Sequence, residues 1–160
     1  MAIAITEFSG FCGFLPVQTI ANYLSSVPEF SALIQLSVVN EFRAAVEQQE
    51  EQSIRSALKD VFSALMNASD EDVTEKVLSL TRRYREEEAI EIESGIRELV
   101  LELDRQYPGD VGIFCVFLLN VVKLEAGQAI FLKADEPHAY IHGGKWGPRL
   151  VAILSLTAPY

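Results

Sequence analysis

The sequence predicts an α+β fold in which a long helical segment is inserted between strand-forming segments. Three features of its 160 residues point there. Strand-forming residues open the chain, apolar residues recur with helical spacing from residue 16 to residue 105, and β-branched apolar runs return after a Pro-Gly break at 108–109. A composition of 49% hydrophobic and 22% charged residues excludes a disordered chain. The length fits one domain, enough to bury roughly two-thirds of the unfolded surface.

The elements follow in order. "AIAITEF", residues 2–8, alternates weakly and reads as one short strand. "SGFCGFLP" follows, where Gly10, Gly13 and Pro16 punctuate two phenylalanines; it reads as a bend packed on a core. Pro16 suits a first helical turn, and Val17, Ile20, Ala21 and Leu24 then share one helix face. In "IRSALKDVFSALM", Ile54, Leu58, Val61, Phe62, Leu65 and Met66 make the clearest helical stripe. "SDED" resembles a capping box, with Ser69 and Asp72 as the reciprocal pair, and opens a helix through Val73, Val77 and Leu80. A further helix is predicted near 86–105, striped by Ile92, Ile96, Leu99 and Leu103, with Gly95 tolerated inside it. "QYPGD" ends the helical region.

Beyond it, "VGIFCVFLLNVVKL" is continuously apolar and is a buried helix or a buried strand by periodicity alone. Its β-branched second half, followed by "EAGQ" and "AIFL", predicts a hairpin: strand to Leu124, turn at Glu125–Gly127, strand to Leu132. "HAYI" is then the next strand.

Charge bounds the partners. The net charge of −10 is uneven: residues 41–110 hold 18 acidic and 9 basic side chains, residues 1–40 hold 2 acidic and no basic ones, and residues 111–160 hold 3 and 4. Such a field argues against nucleic acid or an anionic membrane as partner, and solvated helix faces account for it. No apolar run approaches the roughly 20 residues of a membrane helix. "MAIAITEF" lacks the basic flank and apolar length of a signal peptide. Cys12 and Cys115 are too few for a disulfide framework and read as buried thiols of a cytoplasmic chain.

"EPHAYIHGG" holds both histidines of the chain, His138 and His142, around Tyr140. On a strand, His138 and Tyr140 fall on one face, an imidazole beside a phenol. A neutral imidazole is a common zinc ligand; two surface imidazoles are the plainer alternative. The basic side chains nearby in sequence are Lys133, Lys145 and Arg149.

"FSGFCGFLP", "VPEFSALI" and "YPGDVGIFCVFLLNVVKLEAGQAIFLKADEPHAYI" together resemble, in order and spacing, the type I phosphomannose isomerases. The likeness runs from about Ala2 to Ile141 and is most specific in the long final block. It implies two cupin-type (double-stranded β-helix) barrels with a helical domain inserted between them. This chain then supplies the end of the first barrel (1–15), the helical insert (16–110), the start of the second barrel (111–142) and a divergent tail (143–160), so both barrels are incomplete. The implied activity is the zinc-dependent interconversion of mannose 6-phosphate and fructose 6-phosphate, feeding GDP-mannose synthesis. The resemblance makes His138 a zinc ligand and Tyr140 a residue lining the sugar-phosphate pocket, and it assigns His142 no ligand role.

The family also uses a Gln-x-His pair and a glutamate from the first barrel, and no histidine precedes His138 in this chain. After Ile141 the sequence departs from the family, as in a truncated or mis-spliced gene product. The isolated chain is therefore expected to be inactive and to self-associate through open barrel edges. An alternative is a non-catalytic helical interaction module derived from the enzyme; another is a cupin-like small-molecule binder with an altered site.

Overall fold

The computed structural model of the chain describes residues 2–86, 91–130, 137–142 and 152–153. In chain order these form β1 (Ala2–Ile3), β2 (Phe8–Phe14), α1 (Val17–Ser26), α2 (Pro28–Ser31), α3 (Leu36–Gln48), α4 (Glu51–Met66), α5 (Asp70–Glu86) and a 3-10 turn at Glu91–Glu93. There follow α6 (Arg97–Gln106), a 3-10 segment at Val111–Phe117, β3 (Leu119–Leu124), β4 (Ala129–Ile130), β5 (His138–His142) and β6 (Ala152–Ile153). The arrangement is α+β, with helices between strand regions. Among the described residues no helix is long and apolar enough to cross a membrane.

The helical stripes bury as their spacing predicts. In α4, Leu58, Val61, Phe62 and Leu65 are buried, with Ile54 and Met66 packed against the same core. In α5, Val73, Val77 and Leu80 are buried. Ser69 caps α5: its Oγ accepts the Asp72 backbone N–H at 3.1 Å, while its hydroxyl donates to the Asp72 carboxylate at 2.6 Å. The second half of the box thus runs side chain to side chain rather than back to the Ser69 N–H.

Three local expectations are corrected. The strand expected at residues 2–8 lies later: only Ala2–Ile3 and then Phe8–Phe14 are extended, so "SGFCGF" is a strand and not a bend. Glycine punctuation misleads here because β2 is an inner strand, where Gly10 accommodates close neighbours and Gly13, at φ +68°, makes a bulge. The helix expected near 86–105 is not continuous either. Its second part starts at Arg97, Gly95 lies in the intervening turn, and Glu93 of the preceding 3-10 turn is fully buried against α5. Nor do the two strands of the predicted hairpin pair among the described residues: β3 pairs with β2, whereas β4 crosses to pair with β1, and the rest of the expected second strand, 131–132, lies outside the described residues.

The strands make an antiparallel sheet of order β3-β2-β5-β6 and a small ribbon of β1 with β4. Helices and sheet share one core, which includes Phe11 of β2 and Ala139 and Ile141 of β5. The ambiguous apolar run joins them. Residues Gly112–Phe117 are all buried, which is why the run carries no period of its own. Asp110 caps the segment by accepting the Gly112 N–H at 2.7 Å. Phe117 stacks on Phe30 of α2 at 5.2 Å and meets Tyr23 of α1 edge-on at 5.2 Å, within the range of favourable aromatic pairs.

A buried ionic cluster ties three helical elements. Arg83 of α5 donates Nε and Nη2 to Glu29 of α2 at 3.0 and 2.8 Å. It donates Nη1 and Nη2 to Glu93 at 2.6 and 3.1 Å. The guanidinium also lies 5.1 Å from the centre of the Tyr84 ring. Burial pushes the Glu29 carboxyl up, but the hydrogen bonds and charge of Arg83 outweigh it and hold Glu29 below its ordinary 4.5. Hydrogen bonding to Glu29, with Glu93 second, raises the Arg83 pKa against the effect of burial.

Removing the shared partner strands two buried carboxylates, so Arg83→Met should destabilise the chain by about 3–5 kcal/mol in denaturant titrations. A depressed carboxyl pKa contributes stability that is present above its unfolded value of 4.5 and lost as pH falls through the lower folded value. Stability of the wild type should therefore decline in that acid range, and Glu29→Gln should flatten the decline.

Candidate functional site

The two residues singled out in "EPHAY" lie on β5, which the sheet places between β2 and β6. Its register sets Cys12 opposite His138, Phe11 opposite Ala139, Gly10 opposite Tyr140 and Ser9 opposite His142. Ala139 and Ile141 are buried in the shared core. Positions 138, 140 and 142 alternate with them, as the two-residue period of a strand requires. His138 itself is half-buried.

Two features of β2 locate β5. Gly13 donates its N–H to the Pro137 carbonyl at 2.9 Å, which fixes the residue before His138. The bulge that frees this N–H is held by Asn120, whose Nδ2 donates to the Gly13 carbonyl at 3.3 Å and the Phe14 carbonyl at 2.7 Å. "GFLP" and "LLN" thus cooperate to aim "PHAY". On the site face of β2, Phe8 pairs with Leu124, Gly10 with both Val122 and Tyr140, and Cys12 with His138.

Sequence reasoning missed the pairing of Cys12 with His138. It joins opposite ends of the chain, and no local pattern reports such a contact. The expectation of two buried thiols holds for Cys115 and is corrected for Cys12, which is half-buried. Burial, followed by the charge of Asp110, pushes the Cys115 thiol up to about 12.

The segments carrying Lys133, Lys145 and Arg149 lie outside the described residues. Among the described residues no three His, Cys, Asp or Glu side chains converge as metal ligands. A catalytic zinc site uses about three protein ligands. The described residues by themselves therefore do not fit one.

Residues 33–119 match the profile of the phosphomannose isomerase type I helical insertion domain. The chain belongs to that family. Its relatives include the mannose-6-phosphate isomerase of Bos taurus, 41% identical over 145 residues, covering 89% of this chain and 34% of the relative. The Homo sapiens mannose-6-phosphate isomerase is 39% identical over 145 residues with the same coverage. The structure is similar to that of mannose 6-phosphate isomerase from Salmonella typhimurium bound to substrate and zinc, with a TM-score of 0.61 and 26% identity over 88% of this chain and 32% of that one. A zinc-bound holo form of a mannose 6-phosphate isomerase matches with the same score. The chain spans about a third of the length of the curated relatives it matches.

The two thiols should separate in reactivity. An aromatic disulfide reagent is expected to label Cys12 in the folded chain while Cys115 reacts only on unfolding, because thiolate formation needs exposure and an accessible pKa. Cys12→Ser should remove the fast phase; loss of the slow phase instead would contradict the burial pattern.

Proposed function

We propose that the chain forms part of a zinc-dependent mannose-6-phosphate isomerase, which interconverts mannose 6-phosphate and fructose 6-phosphate. Residues 1–15 end one cupin-type barrel, residues 16–110 form the helical insertion domain, residues 111–142 begin a second barrel, and residues 143–160 are a divergent tail. The observation that carries this reading is the family profile over residues 33–119, together with identity of 38–41% to the mannose-6-phosphate isomerases across 89% of the chain. That span extends beyond the helical insert into the flanking strands.

His138 is the zinc ligand of this segment and Tyr140 contributes to the sugar-phosphate pocket. Two-residue spacing on a sheet strand suits both roles, since it keeps a ligand and a substrate contact at a constant separation. One imidazole does not hold a zinc ion at a fixed position, so in this reading the other ligands belong to parts of the enzyme other than the described residues. Residues 1–160 on their own are inactive. β3, an edge strand among the described residues, with Val121 partly exposed, favours self-association of the isolated polypeptide.

A hybrid tests the proposal. Residues 2–141 replace the aligned segment of the human mannose-6-phosphate isomerase, and conversion of mannose 6-phosphate is followed in a coupled assay with zinc quantified in parallel. The hybrid should turn over and hold zinc, and His138→Ala should remove both. A folded hybrid without zinc or activity would overturn the proposal. Residues 1–160 alone should show no conversion above background in excess zinc, and activity that His138→Ala abolishes would disprove their incompleteness.

A further inference from the structure

We propose that Gly10 is a positioning residue for His138 and Tyr140, acting by leaving room for the peptide that joins their strand positions. The inference rests on the proposed roles of those two residues, although the geometry behind it does not. Gly10 sits on the inner strand β2, paired on one side with Val122 and on the other with Tyr140. A Cβ on Gly10 would lie 2.8 Å from the carbonyl oxygen of Ala139, closer than side-chain carbons approach an oxygen. It would also lie 2.8 Å from Cζ and 3.1 Å from Cε1 of Phe8. Gly95 and Gly127 offer a contrast, since a Cβ at either would meet nothing within 4 Å.

The two contacts at Gly10 differ in kind. Phe8 presents the far end of a side chain, which a rotamer change moves. Ala139 presents backbone, and that backbone is held from both sides. Its side chain is buried in the core at 5% exposure, and the preceding Pro137 carbonyl accepts the Gly13 N–H at 2.9 Å. A methyl group at position 10 therefore pushes on the peptide between the zinc-ligand position and the tyrosine position. The register irregularity between β2 and β5 falls at Ser9/Gly10, so the strand pairing there is already adapted to this close approach. Gly10 also lies between Phe8 and Cys12 on the site face, and a side chain there would separate the residues that border β5.

A purely structural glycine would change stability and leave the site intact, and the test separates the two cases. In the hybrid enzyme, Gly10→Ala should lower zinc affinity and kcat by about 10–100-fold, the effect typical of residues that orient metal ligands. Phe8→Leu combined with Gly10→Ala relieves the ring contact but not the carbonyl contact, so the double variant should fold and keep the defect. Normal zinc affinity and kcat in Gly10→Ala, or full rescue by Phe8→Leu, would overturn the proposal. The unsubstituted hybrid reports on the functional reading separately: if it binds no zinc, that reading fails. The positioning claim is then decided in residues 1–160 by the backbone amide shifts of residues 138–140. Displacement of those shifts in the double variant relative to Phe8→Leu supports it, and unchanged shifts overturn it.

Discussion

Phe117 is the contact on which the architecture turns. Its ring lies against Phe30 and Tyr23 from the helical region, and two residues later the chain enters β3 at Leu119. Phe30, Phe114 and Phe117 are each fully buried, so the 3-10 segment that carries two of them is an internal strut. Rigid aromatic rings fix an orientation as well as a distance. Once Phe117 is seated, the direction of β3 is set, and with it the register of β2, which the Asn120 amide secures at the bulge. Leu15 closes the junction by donating its N–H to the Leu118 carbonyl at 2.8 Å.

The helical region has its own organiser in Arg83. A guanidinium has five N–H donors in a fixed fork, and here two carboxylates are held by it in bidentate fashion. Apolar stripes determine which faces of α2 and α5 meet. They leave the rotation and sliding of the elements weakly specified, because one apolar contact substitutes readily for another. The ionic cluster has a single satisfying geometry. It also explains the break before α6: carrying Glu93 into the interior requires a tight turn at residues 91–93 rather than a continuous helix.

The site shows how a sheet assembles a function from remote pieces. β5 has a modest local identity, five residues around "HAYIH", yet its placement depends on Gly13, Gly10 and Asn120, none of which looks chemical in the sequence. Family membership then gives His138 and Tyr140 a proposed purpose in sugar-phosphate isomerisation. Among the described residues no three His, Cys, Asp or Glu side chains converge, and the chain spans about a third of the length of the relatives it matches.

What the sequence determined by itself was the class of its strongly periodic segments and the chemical candidates. Periodicity is a local property, so the stripes of α1, α4 and α5 and the Ser69 cap were legible, as were the strand through "HAYI" and its His-x-Tyr pair. Tertiary structure decided everything that depends on a partner. The apolar run "GIFCVF" has no period because every one of its residues is buried. "SGFCGF" reads as a bend until its neighbours on both edges are known. β4 leaves its sequence neighbour β3 for β1, and Cys12 meets His138 from the other end of the chain. Arg83 and Glu93 read individually as surface charges in the acidic middle region, and Glu29 as an isolated acid before it. Only the fold brings them together, because the attraction that pairs them becomes strong where water has been excluded.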